Sequence, residues 1–353
     1  MRGLIRKTHL WLGMIAGAFM VVLGVTGSII AFEPELDRLL HPHLSHVKPG
    51  ARILSLVEIG EAVSKKYGKE PVVAYLPATS PDFPAQVILS RGVVSVNQYT
   101  GEVLGIRTRG QTVLGFTRAL HVRLATGDIG RNILRWSTFA MLISLASGLY
   151  LWWPRKRVRI RGPWWSRLFW FDLHNSFGIL SLLPLLVLAA TGIVIGFEDE
   201  VSSLLNKAHG RNPVHSSETE TRSDSGRIGT EITPDQAVAI AGAQLPGAVV
   251  YRVQMPRYGG LYVVAMAYSD NRIGSERNSI SIDRWEGRIV AMNLSASLTP
   301  RERLMAANEA IHTGSIFGMP TRILAALASF VLPLQVVSGL LIWIRRTILV
   351  RQG

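Results

Sequence analysis

The 353-residue sequence contains no cysteine. Disulfides, thiolate iron–sulfur clusters, cysteine-containing zinc sites, covalently attached c-type haem and a cysteine nucleophile are therefore excluded. Any cofactor has to bind through nitrogen or oxygen, or without a covalent link. Charge is scarce too: 18% of residues are Asp, Glu, Lys or Arg against 48% hydrophobic, a balance that argues against a wholly soluble globular protein. Acids are outnumbered by Lys and Arg, 24 to 38. No G-x-S-x-G, H-E-x-x-H, Walker A or G-x-G-x-x-G context occurs, which leaves hydrolase, zincin, NTPase and Rossmann readings without support.

What the sequence does have is long apolar runs. Crossing a hydrocarbon layer of about 30 Å takes about 20 helical residues, and four stretches reach or approach that length: Leu10 to Phe32, Trp136 to Trp153, Phe177 to Phe197 and Ile323 to Ile344. The first is 23 residues long with no A-x-A site after it; it reads as an uncleaved transmembrane helix rather than a secretion signal.

The formal charge of +14 raises the question of nucleic acid, and its location answers it. Arg2, Arg6 and Lys7, six basic residues from Arg155 to Arg167, and Arg345, Arg346 and Arg351 face one acid, Asp172, so twelve cations less one acid put +11 beside the spans. The positive-inside rule then places both termini and the short central loop in the cytoplasm, with no nucleic-acid partner implied. Trp152, Trp153, Trp164, Trp165 and Trp343 stand where an interfacial aromatic belt would on that side. The resulting division is an N-terminus and first span (1–32), a periplasmic module (33–120), a rim and second span (121–153) and a cytoplasmic basic loop (154–168). A third span (169–197), a second periplasmic module (198–311) with a flexible linker (209–233), a rim and fourth span (312–344) and a cytoplasmic tail (345–353) complete it.

The two external modules repeat one pattern. Leu56 to Tyr67 has helical spacing and precedes a strand at Val93 to Asn97 and a turn at Thr100-Gly101; Pro234 to Gln244, Ser279 to Asp283 and Trp285-Glu286-Gly287 repeat that order. The spans repeat as well. Setting His9 against His174 aligns Gly13 with Gly178, Thr26-Gly27 with Thr191-Gly192 and Phe32-Glu33 with Phe197-Glu198; setting His121 against His312 aligns Arg131 with Arg322, Ser147-Gly148-Leu149 with Ser338-Gly339-Leu340 and Trp152 with Trp343. The fold expected is a membrane α-helical one: a four-helix transmembrane bundle made by internal duplication, carrying two small α+β modules, with its halves parallel about an axis normal to the membrane.

Such symmetry pairs histidines. His9 and His174 precede spans at the cytoplasmic end, His121 and His312 at the outer end, and the two levels lie too far apart along the helices to share ligands. A pair of neutral imidazoles without thiolate or acidic cluster suits the two axial positions of a b-type haem. Zinc wants more ligands, while copper held by histidine pairs stays open, as does plain solvation of single rim histidines. Glycines in the spans (Gly13, Gly17, Gly24, Gly27, Gly178, Gly192, Gly196) leave room for a porphyrin or for close helix packing. Arg131 and Arg322 stand where haem propionates could be met, or where they would snorkel. The chain is expected to bend near Gly127 and Gly130, and near Gly314 and Gly318. His41, His43 and His46 form an H-P-H-x-x-H run, read as a polar loop or a metal site; His209 and His215 lie in the linker.

At these residues the chain resembles the PepSY-associated transmembrane family, and within it bacterial inner-membrane ferric-siderophore reductases. The resemblance rests on K-T-H-L-W-L-G at Lys7 to Gly13, L-H-V-R-L-A-T-G-D-I-G-R at Leu120 to Arg131, S-G-L-Y-L-W-W-P at Ser147 to Pro154, F-D-L-H-N-S-F-G at Phe171 to Gly178 and I-H-T-G at Ile311 to Gly314. The strand–turn pieces at Val94 to Leu104 and Ile280 to Val290 look like PepSY modules. It implies an oxidoreductase with two bis-His b-type haems, held by His9 with His174 and by His121 with His312. Its expected partners are a cytoplasmic or quinol electron donor, the lipid bilayer and a ferric siderophore in the periplasm. Tyr251, Arg252, Arg257, Tyr258 and Arg272 are candidates for docking the chelate, or ordinary surface residues. Two other readings stand beside it: a haem-free scaffold binding a partner of an import system, and a cytochrome serving another periplasmic acceptor, such as copper or a methionine sulfoxide reductase-like partner.

Overall fold

A computed structural model describes residues 1–108, 112–154, 156–198, 200–201, 203, 230–256, 260–268 and 278–351, the last five by their backbone only. Most of the expected linker 209–233 falls outside them, as do Arg155, His209, His215, Arg257, Tyr258 and Arg272. The chain divides into two compact units, 1–33, 114–210 and 308–353 forming one, 34–113 and 211–307 the other.

The first unit is helical. Its elements are α1 (Arg2–Ile15) and α2 (Gly17–Ile30), α5 (Val113–Arg123) from its second residue on, α6 (Asp128–Trp152), α7 (Arg167–Leu180), α8 (Leu182–Gly196), the last five residues of α10 (Pro300–His312) and α11 (Met319–Arg351). Two helices, α6 and α11, are long and apolar enough to cross a membrane, and the bent pairs α1–α2 and α7–α8 bring the crossings to four if each pair is one span. The first and third spans were expected to be single helices; instead they bend by 59° and 62°, at Ala16 and Ser181, each seven residues after a histidine. Pro184 explains the second bend, because it cannot donate to the carbonyl four residues back, and the Ser181 hydroxyl takes the Phe177 carbonyl at 2.7 Å. At the first bend Gly13 and Gly17 flank the break. The second span begins at Asp128, eight residues before the expected start.

Helix α2 packs on α11, α8 on α6, α1 on α6 and α7 on α11. Ala16, Met20, Met141, Leu185, Ala189, Ala328 and Leu332 form one buried apolar cluster drawn from all four spans. On the outward faces Trp136, Phe139, Leu183, Leu327 and Phe330 are exposed, as lipid-facing side chains are. Gly24 allows the closest approach: an added Cβ would lie 2.5 Å from the Ser329 carbonyl and 2.7 Å from Pro333 Cδ. Pro333 is the residue that cannot donate to that carbonyl within α11. Before α7 the basic loop lies against that helix: Arg161 grips Asp172 with two hydrogen bonds of 2.7 and 3.1 Å, and Ser176 bonds both backbone groups of Arg159.

The second unit is built on one antiparallel sheet of eight strands in the order β4-β3-β2-β1-β5-β6-β7-β8: β1 (Val72–Leu76), β2 (Ala85–Leu89), β3 (Gly92–Val96), β4 (Val103–Thr108), β5 (Val249–Gln254), β6 (Leu261–Ala267), β7 (Asn278–Asp283) and β8 (Ile289–Asn293). The two expected modules are therefore halves of a single sheet, joined where Tyr75 of β1 pairs with Val253 of β5. Joining satisfies the backbone groups of two edge strands that separate modules would expose. Helices α4 (Leu56–Tyr67) and α9 (Pro234–Gln244) occupy the expected ranges, each opened by a capping box, Ser55 with Glu58 and Thr233 with Gln236. Both contribute to one core with Ile59, Val63, Val87, Val94, Ala237, Val253, Tyr262, Val264, Ile280 and Ile282. The helix α3 (Glu33–Leu40) precedes this sheet.

Candidate functional site: two histidine pairs

His9 of α1 and His174 of α7 come together with ring centres 6.2 Å apart, and His121 of α5 and His312 of α10 at 6.4 Å. The chain bends where it must to bring the second pair in. Gly127, Gly314 and Gly318 adopt positive φ between α5 and α6 and between α10 and α11. Gly130, also expected at a bend, is instead buried in the first turn of α6, where a Cβ would collide with the Arg123 carbonyl.

Each ring is held in the same way. His9 Nδ1 lies 2.9 Å from Ser147 Oγ, His174 Nδ1 2.9 Å from Ser338 Oγ, His121 Nδ1 2.9 Å from Thr26 Oγ1 and His312 Nδ1 3.0 Å from Thr191 Oγ1. All four hydroxyls spend their proton on a carbonyl of their own helix: Ser144 at 3.0 Å, Gln335 at 3.1 Å, Val22 at 2.6 Å and Val187 at 2.7 Å. Each hydroxyl must then accept from Nδ1–H. At His312 the Leu188 carbonyl also lies 3.1 Å from Nδ1, and a carbonyl can only accept. The proton therefore sits on Nδ1, and Nε2 carries the lone pair that a metal needs.

The residue after each hydroxyl is glycine, and its missing side chain is where the ring lies. An added Cβ would stand 3.3 Å from His9 Cε1 at Gly148, 3.5 Å from His174 Cε1 at Gly339, 3.1 Å from His121 Cε1 at Gly27 and 3.1 Å from His312 Cε1 at Gly192. Among the glycines expected to leave room for a porphyrin or for close helix packing, Gly27 and Gly192 make room for imidazoles. Gly17 and Gly24 pack against α11, and Gly178 faces Gln335. The sequence signal was present in the matched Thr-Gly and Ser-Gly pairs, whose role the repeat alone did not reveal.

Arg322 donates from Nε to the Ala31 carbonyl at 3.0 Å and lies over the Phe32 ring; Arg131 stands in the first turn of α6. Sequence reasoning passed over a further cation, which lies in the same helical unit. Arg135, 9% exposed on α6, packs against Gly196, one turn from Gly192. It pairs with Glu200 at 3.0 Å and stacks on Phe197, while its Nε has no hydrogen-bond partner among the described residues. An arginine inside an apolar helix was the missed signal. His41 is engaged by Asp37 at 3.0 Å, and His41, His43 and His46 do not converge: among the described residues no group of three or more His, Cys, Asp or Glu could hold a metal ion. Of the docking candidates, Tyr251 and Arg252 lie half-buried on β5.

Two imidazoles are too few for structural zinc but are the number that haem takes at its axial positions. Two metal–nitrogen bonds of roughly 2 Å, with about 1.1 Å from each nitrogen to its ring centre, span roughly 6 Å, which both pairs match. The residues present fit the group.

Comparison with curated proteins gives no match. The family model described as the PepSY-associated TM region matches residues 6–346, nearly the whole chain. With its apolar helices and its sheet unit, the chain is a membrane protein that belongs to this PepSY-associated transmembrane family.

Proposed function

We propose that the protein is a di-haem b-type cytochrome of the bacterial inner membrane that passes electrons outward to ferric iron held by a siderophore. The observation that carries it is the pairing of four imidazoles, each with Nδ1 committed and Nε2 free, at two levels of one helical unit. Haem bound there would supply reversible one-electron transfer. The chain's own residues do the rest: His9 with His174 and His121 with His312 ligate, Ser and Thr hydroxyls orient, and the apolar cluster between the levels excludes water. Arg131 and Arg322 are candidates for meeting haem propionates. Reduction favours release because a hard oxygen-donor chelate binds Fe(II) less tightly than Fe(III).

A duplicated four-helix bundle accounts for the packing. Helix α2 of one half packs on α11 of the other, and α8 on α6 reciprocally, while every hydroxyl–histidine contact stays inside a half and every ring pair joins the halves. The distribution of Lys and Arg favours cytoplasmic termini and a periplasmic sheet unit. On that topology His9 and His174 form the inner site, and the electron donor is a cytoplasmic or quinol reductant. The optical spectrum of the purified chain tests the reading: a Soret band, reduced α-bands and two haems per chain are expected, and a chain without haem after expression with ample haem would leave the scaffold reading in its place. Stopped-flow mixing of the dithionite-reduced protein with ferric hydroxamate or catecholate chelates should give rapid reoxidation; no acceleration by any of them would point to another acceptor.

A further inference from the structure

We propose that Thr26, Ser147, Thr191 and Ser338 are positioning residues that fix the histidine tautomer and set the reduction potential of the haem each pair holds, an inference that rests on the haem reading above. Serine and threonine often bond the carbonyl of the preceding turn simply as part of helix packing. Three observations go beyond that habit. The same hydroxyl that bonds its own helix also meets a histidine Nδ1 at 2.9 to 3.0 Å in all four cases. At His312 the Leu188 carbonyl joins it at 3.1 Å, a second acceptor for the same Nδ1. The following glycine leaves the ring its place. Hydroxyl and glycine thus form one socket, built four times.

The socket has an electronic consequence. An N–H donated to a hydroxyl oxygen leaves more electron density on the imidazole and makes Nε2 the stronger donor. A stronger donor stabilises the higher charge of Fe(III) over Fe(II), so the socket lowers the midpoint potential. The contacts are also local: Ser147 and Ser338 serve only the His9–His174 pair, Thr26 and Thr191 only the other. Removing one hydroxyl should therefore move one midpoint and leave the second in place.

The test uses the full-length haem-loaded protein and spectroelectrochemical titration, with haem per chain and the low-spin ferric EPR signal as companions. Ser147→Ala and Ser338→Ala are expected to raise the inner midpoint only, and Thr26→Val and Thr191→Val the outer midpoint only. The shift expected is up to about tenfold in the Fe(II)/Fe(III) ratio at fixed potential, about 59 mV for one electron. Thr26→Ser, which keeps the hydroxyl, should restore the wild-type value, and it decides the case if Thr26→Val loses haem altogether. Haem present in the wild type but midpoints unmoved in all four variants, or Thr26→Ser behaving as Thr26→Val does, would overturn this proposal alone. A wild-type chain with no Soret band would instead overturn the haem reading and the proposal with it.

Discussion

At the scale of single residues, the two histidine pairs are independent. No hydroxyl, carbonyl or glycine is shared between them, so His174→Ala should remove one haem and leave the other. Haem quantitation checks this, and loss of both haems from a well-folded variant would contradict separate sites. Two tyrosines set the alkaline behaviour of the sheet unit. Burial, then the Asp235 carboxylate, pushes the Tyr75 hydroxyl up to about 12, and burial, then Glu231, raises Tyr262. Unfolded tyrosines ionise near pH 10 while these keep their protons, so their stabilising contribution is whole below about pH 10 and falls as the pH rises toward the folded values. Denaturation of the protein between about pH 9 and pH 12 should show that decline, and Tyr75→Phe should make it shallower.

At the scale of elements, helix contact governs where a histidine's holder stands. Gly24 lies two residues before Thr26 and touches Ser329, Leu332 and Pro333 of α11. Gly24→Val is expected to push α2 off α11, at an overpacking cost of about 1–3 kcal/mol, and to carry Thr26 away from His121. Outer haem should be lost preferentially, with the inner haem retained; an unchanged outer midpoint in that variant would contradict the linkage. Some elements were legible because local rules sufficed. The ranges of α4 and α9 follow from spacing and capping residues, and the strands at Val93 to Asn97 and Ser279 to Asp283 from alternation. The bends at Ala16 and Ser181 were not legible, because the apolar run continues through both and hydropathy does not register a change of direction.

At the scale of the whole molecule, the two repeats are tied to each other rather than placed side by side. In the sheet unit Asp235, in the first turn of α9, accepts from the Leu56 and Val57 amides at 2.8 and 3.1 Å, capping the helix of the other repeat. Asp235→Ala should lower the stability of the sheet unit by about 1–2 kcal/mol and bring the Tyr75 hydroxyl down, both readable by denaturation and by ultraviolet titration of tyrosine. Hydrogen exchange at the start of α4 should quicken in the same variant; protection equal to wild type would contradict the cap.

The sequence by itself determined that the chain carries long apolar helices and which histidines belong together, because hydropathy and repeat offsets are properties of the chain read in order. It did not determine what stands next to each imidazole. That depended on three-dimensional approach: a hydroxyl 95 to 164 positions away, and a glycine whose lack of a side chain matters only once a ring is brought against it. The joining of two modules into one sheet was likewise decided in space, since pairing β1 with β5 depends on two distant edges meeting and satisfying one another's backbone groups.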